Sequence, residues 1–105
     1  DQIDSRHEQD LYAAILQLES LEEVESFFHD LCTPAELEGL VDRWRVAQIL
    51  VQNIPYRPIA AETKVSTATI VRVARFLNSG NDGYRTIMRR QGKIDGRGRG
   101  SGQDS

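Results

Sequence analysis

The sequence has little of what most enzymes and most exported or membrane-bound proteins depend on. A single cysteine, Cys32, cannot form an internal disulfide, which points to a reducing compartment and makes the cytoplasm the default expectation. Two histidines, His7 and His29, have no partner at metal-ligand spacing, so no metal site is expected and both read as surface residues. No apolar run approaches the length needed to cross a bilayer, and the first residues are acidic and polar, unlike a signal peptide. Nucleophile–base pairs, glycine-rich phosphate loops and paired carboxylates are missing too. Catalysis is not expected, and no cofactor is called for. Prolines are few (Pro34, Pro55 and Pro58) and they act as punctuation. Cys32 reads as a small buried apolar filler.

Charge and hydrophobic pattern are informative. The net charge of −3 hides a split: residues 1–42 hold twelve acidic side chains and one basic, residues 43–105 four acidic and twelve basic. A locally basic half supports phosphate binding whatever the global sign. Apolar residues recur at helical spacing and no segment alternates as a strand. About six helices are expected, an all-α fold. The first covers roughly Glu8–Gln17, with Leu11, Ile15 and Leu18 on one side. The second is capped by Ser20 with Glu23 completing a capping box, and it presents Leu21, Val24, Phe27, Phe28 and Leu31. Thr33-Pro34-Ala35-Glu36 opens the third and longest, to about Val51, with Leu37, Leu40, Val41, Trp44, Ala47 and Val51 on its buried side. A final short helix spans Tyr84–Arg90. Residues 1–7 and the Gly/Arg/Ser-rich stretch 92–105 are expected to be disordered, leaving 8–91 as the folded domain. So small a core favours an oligomer.

Residues 56–78, YRPIAAETKVSTATIVRVARFLN, have the pattern of a helix-turn-helix. Pro58–Glu62 forms its first helix. Thr67–Leu77 forms its second, with Ile70, Val73, Ala74 and Leu77 on one face. Ala60 allows close helix approach and Val65 plugs the turn. Lys64 occupies the turn position that favours glycine, at some backbone cost. The second helix of such a motif enters the major groove N-terminus first. That places Ser66, Thr67, Ala68 and Thr69 at base edges and phosphates, with Ser66 or Thr67 as the cap. Arg57, Lys64, Arg72 and Arg75 are expected mostly on the phosphate backbone. Double-stranded DNA is the partner these residues call for.

The segments LCTPAELEGLVDRWRVAQIL (31–50), IAAETKVSTATIVRVARFLN (59–78) and SGNDGY (79–84) together resemble the Trp repressor family, most closely its YerC/YecD-type branch. The resemblance runs from about Tyr12 to Met88. It implies a two-fold homodimer in which the first three helices of both chains intertwine as a core and each helix-turn-helix projects as a DNA-reading head. Two-fold symmetry would require an inverted-repeat operator. In that family tryptophan binds between core and head, its ring between two arginines matching Arg43 and Arg72, with the Thr-Pro helix start at Thr33 and Pro34. Three positions depart from the family's pocket. Val73 stands for a glycine, Phe76 for a serine one turn on, and Cys32 for the leucine before Thr33. The bulk of Val73 and Phe76, with Trp44 beside Arg43 as a further filler, argues against tryptophan as co-repressor. A different small-molecule effector, or none, is the expectation. A second reading of the chain is a helical interaction module that contacts the transcription machinery without reading DNA.

Overall fold

The computed structural model describes residues 3–94. Among these, six helices and no strand are found: α1 (Ser5–Leu16), α2 (Leu21–Leu31), α3 (Pro34–Leu50), α4 (Tyr56–Thr63), α5 (Thr67–Ser79) and α6 (Gly83–Arg90). Two compact units divide between Leu37 and Glu38, within α3.

In the N-terminal unit the helix starts are set by side-chain caps. Asp4 caps α1 by accepting the Arg6 amide at 2.9 Å, and the Arg6 guanidinium, bonded to the same carboxylate, holds it below the usual carboxylate range. Residues 5–7, expected to fray, are therefore the first turn of α1. The helix begins three residues before the expected Glu8, because the Asp4 cap needs no apolar residue beside it. Ser20 caps α2 through the Glu23 amide, but the Glu23 carboxylate reaches the amide of Glu19 rather than that of Ser20. Thr33 and Glu36 form a reciprocal box at the start of α3: the Glu36 amide donates to Thr33 Oγ1 at 3.1 Å and the Thr33 amide to Glu36 Oε1 at 2.8 Å. Neither α1 nor α2 has a buried residue. Leu16 is 82% and Leu21 83% exposed.

The C-terminal unit holds the core. Val46 and Ala47 of α3, Ile59 of α4, Val65 of the turn, Ile70, Val73 and Leu77 of α5 and Met88 of α6 form one buried cluster. Along α3 the burial differs from expectation. Val46 and Ala47 are sealed and Trp44 and Val51 pack partly against the cluster, whereas Leu40 and Val41 are exposed. The reason is position: α4, α5 and α6 pack around the second half of α3, which brings Val46 inside. α4 starts two residues before Pro58. A proline is tolerated there because a first-turn amide has no intrahelical partner to lose. Gly80 ends α5 with its amide on Phe76 O at 3.0 Å, and a Cβ at Gly80 would run into that backbone oxygen, so a larger residue would force the backbone to shift. The folded part also runs past the expected limit at 91. Lys93 donates from its amide to Met88 O and from its ammonium to Gln48, and Ile94 packs against the cluster. The rest of the tail, 95–105, lies outside the described residues.

Candidate nucleic-acid interface

α4, the turn 64–66 and α5 form the helix-turn-helix. Its geometry follows from a few local interactions. Thr63 is buried, and its hydroxyl donates to Ile59 O at 2.7 Å while accepting the Val65 amide at 3.2 Å. The chain then reverses through Lys64 in the left-handed region (φ 61°, ψ 17°), where its amide still closes α4 on Ala60 O. Val65 drops into the core as the plug. Ser66, extended, caps α5: its Oγ accepts the Thr69 amide at 3.2 Å and donates to Thr69 Oγ1 at 3.0 Å.

The two faces of α5 are sharply different. Ile70, Val73, Ala74 and Leu77 are buried, while Thr67, Ala68, Val71, Arg72, Arg75 and Phe76 are exposed. Of the expected DNA-contacting residues, Arg57, Lys64, Ser66, Thr67, Ala68, Arg72 and Arg75 are exposed, and Thr69 is half-buried with its hydroxyl engaged by Ser66. Lys64, Ser66, Thr67 and Ala68 meet at the N-terminus of α5. Arg57 stands in the first turn of α4, and Arg72 and Arg75 follow along α5. No ion pair within the described residues engages Arg57, Lys64, Arg72 or Arg75. Four uncompensated cations and the open amides of a helix N-terminus on one motif suit phosphate oxygens.

Four of the residues expected at a ligand pocket, Arg43, Arg72, Val73 and Phe76, border one space, and Thr33 does not. A cavity of about 380 Å³ is lined by Arg43, Arg72, Val73, Phe76 and Tyr84. Phe76 is joined there by a second aromatic residue with no counterpart among the expected ones: Tyr84 of α6 lies 41 positions from Arg43, and nothing in the local pattern links them. Trp44, expected to fill part of this space, instead stacks on Tyr84 (centroids 6.2 Å apart, planes at 19°) and lines a neighbouring open groove with Phe76 and Ile87. Lys93 holds the other end of this arrangement, its ammonium 5.7 Å from the Trp44 ring centroid. Thr33 is committed to the cap of α3 in the N-terminal unit.

The arrangement defines a class, an all-helical protein with a helix-turn-helix whose outward face is cationic. Residues 6–92 match the family described as Trp repressor protein. The chain belongs to the Trp repressor family, a family of DNA-binding transcription regulators rather than enzymes. It is 43% identical over 90 residues to the uncharacterized protein YerC of Bacillus subtilis (strain 168), covering 86% of each chain. Among solved structures, it resembles a TrpR-like protein from Eubacterium eligens ATCC 27750, with 42% identity and a TM-score of 0.81, over 88% of this chain and 95% of that one. It also resembles a putative Trp repressor from Staphylococcus aureus, again with 42% identity and a TM-score of 0.81, over 87% and 91%.

Proposed function

We propose that this protein is a homodimeric, sequence-specific transcriptional repressor of the cytoplasm that binds an inverted-repeat operator through α5. The observation that carries the reading is the two-faced α5. Its inner side is sealed into the core, while its outer side offers Thr67 and Ala68 at the N-terminus followed by Arg72 and Arg75. The small exposed residues suit base edges, and the arginines, with Arg57 and Lys64, suit the phosphates on either side. Dimerisation is supported by the apolar side chains that α1, α2 and the start of α3 leave exposed, Leu16, Leu21, Leu31, Leu40 and Val41 among them. A second copy of the same helices would cover them. Half-sites would then lie about one helical turn apart, ~34 Å, the spacing used by helix-turn-helix dimers, Trp repressor included.

Tryptophan is not the co-repressor in this reading. Val73 and Phe76 add side-chain volume to the cavity between Arg43 and Arg72, and Phe76 removes the hydroxyl that a serine would offer an ammonium group. Calorimetry should detect no micromolar binding of L-tryptophan; binding coupled to tighter DNA affinity would refute this part of the proposal.

The test of the main reading is in vitro selection from random duplex DNA with the purified protein, in moderate salt and without added ligand. Enrichment of an inverted repeat is the expected result. A folded protein that enriches no sequence would overturn the reading and favour an interaction module in its place.

A further inference from the structure

Val71 is the one exposed large aliphatic side chain on the outer face of α5 within its first two turns, at 48% exposure. Single apolar residues are common on protein surfaces, so its exposure alone decides nothing. Its neighbours do. Val71 is four residues after Thr67 and three after Ala68, the two spacings that bring side chains together on a helix surface, with Cβ atoms about 5–6 Å apart. The Thr67 methyl, the Ala68 methyl and the two methyls of Val71 thus share one side of the helix N-terminal half, with Lys64 before them and Arg72 and Arg75 after. The fold gains little from this choice. Val71 is outside the buried cluster, and a β-branched residue is a poorer helix former than the Lys, Arg or Glu that would ordinarily stand at such a position.

We infer that Val71 is a base-reading residue whose methyl groups recognise the C5-methyl of a thymine in each half-site. The inference rests on α5 being the recognition helix. In the major groove a T·A pair differs from the other pairs by this methyl group, which is read by apolar contact and not by hydrogen bonding. Thr67 and Ala68, at the tip of the helix, approach one part of the half-site. Val71, one turn further on, meets the next bases while the flanking cations hold the strands.

The test uses the duplex enriched by selection, with each thymine of a half-site replaced in turn by uracil. That change removes the methyl and keeps every hydrogen-bonding group. The wild-type protein should lose about fourfold in affinity at one thymine per half-site, the equivalent of one buried methyl, and about fifteenfold when both half-sites are changed. Val71→Ala should bind the thymine and uracil duplexes equally well at that position while keeping the wild-type response at the others. Substituting an exposed position with alanine leaves the core intact, so the variant folds. A consensus without a thymine in the half-site, or a uracil response that is the same in wild type and Val71→Ala, overturns the role of Val71 and leaves DNA reading by α5 standing. Failure to enrich any duplex overturns both.

Discussion

In the proposed reading Lys64 costs stability through its backbone and aids DNA binding through its ammonium group, and one substitution separates the two. Its backbone sits at φ 61°, one of three non-glycine residues with positive φ among those described. A side chain in this region costs about 1–2 kcal/mol, which glycine does not incur. Glycine in turn loses more freedom on folding, a cost of roughly 0.5–1 kcal/mol. Lys64→Gly should therefore stabilise each chain by about 0.5–1 kcal/mol, and raise the melting temperature by about 3–6 °C for a domain of this size. The bond from residue 64 N–H to Ala60 O needs only backbone, so it survives the change. The same substitution removes a cation from the N-terminus of α5. The slope of log affinity against log salt should flatten by ~0.9 for each phosphate that the ammonium group neutralises in the wild type. Lys64→Ala is the control, because alanine keeps the Cβ and hence the strain. It should show the same flattening of the salt slope with no gain in melting temperature. Calorimetric melting and salt-titrated DNA binding on the three proteins make the comparison. If Lys64→Gly melts no higher than Lys64→Ala, the turn is not strained and the reasoning is wrong.

Ser66→Ala removes the cap of α5 and should cost about 1 kcal/mol, seen as a melting temperature lower by ~4–8 °C; an unchanged value would mean that the Thr69 amide finds another acceptor. Arg75→Ala should weaken binding about equally on all duplexes and reduce the salt slope by about 1 for each phosphate it neutralises. A change in base preference in a repeated selection would instead make Arg75 a base reader. Leu21→Asp places a charge on a side chain already 83% exposed in the single chain. Helicity should survive while sedimentation shows monomers, and a persisting dimer would exclude Leu21 from the interface.

The features legible in the sequence were those set within one or two helical turns. The Thr33–Glu36 box, the Ser66 cap, the left-handed Lys64 and the Val65 plug are fixed by residues at most four apart. The all-helical order could be read for the same reason, while the Trp repressor family was legible because three long segments, 31–50, 59–78 and 79–84, carry the resemblance together. Features that depend on distant packing could not. Whether Val46 or Val41 is buried depends on which side of α3 receives α4, α5 and α6. Tyr84 reaches the Arg43–Arg72 cavity only because α6 folds back beside α3. Val71 was obscured by its neighbour: it follows Ile70, so the inward set Ile70, Val73, Ala74 and Leu77 accounts for the apolar pattern and leaves an outward valine with no assigned task. The α1 and α2 faces were legible as apolar, but one chain does not encode in any local pattern what covers them.

The uneven charge distribution gives the proposed assembly a testable consequence. Twelve of the sixteen acidic residues lie in positions 1–42, which include all of α1 and α2. If those helices meet their copies in a dimer core, two strongly acidic segments are brought together. Their repulsion opposes association and keeps DNA phosphates away from the core, so that only the basic heads approach the duplex. Added salt shortens the screening length from about 30 Å at 0.01 M to about 10 Å at 0.1 M. The dimer should therefore tighten over that range, because its apolar contacts persist while the repulsion is screened. DNA binding should weaken over the same range, because the phosphate contacts proposed for Arg57, Lys64, Arg72 and Arg75 would release counterions. Sedimentation equilibrium and duplex titration at matched salt concentrations would resolve the two trends. A dimer that loosens with salt would mean that the acidic helices pack against the basic half of the partner, and the division of labour between an acidic core and a basic head would have to be abandoned.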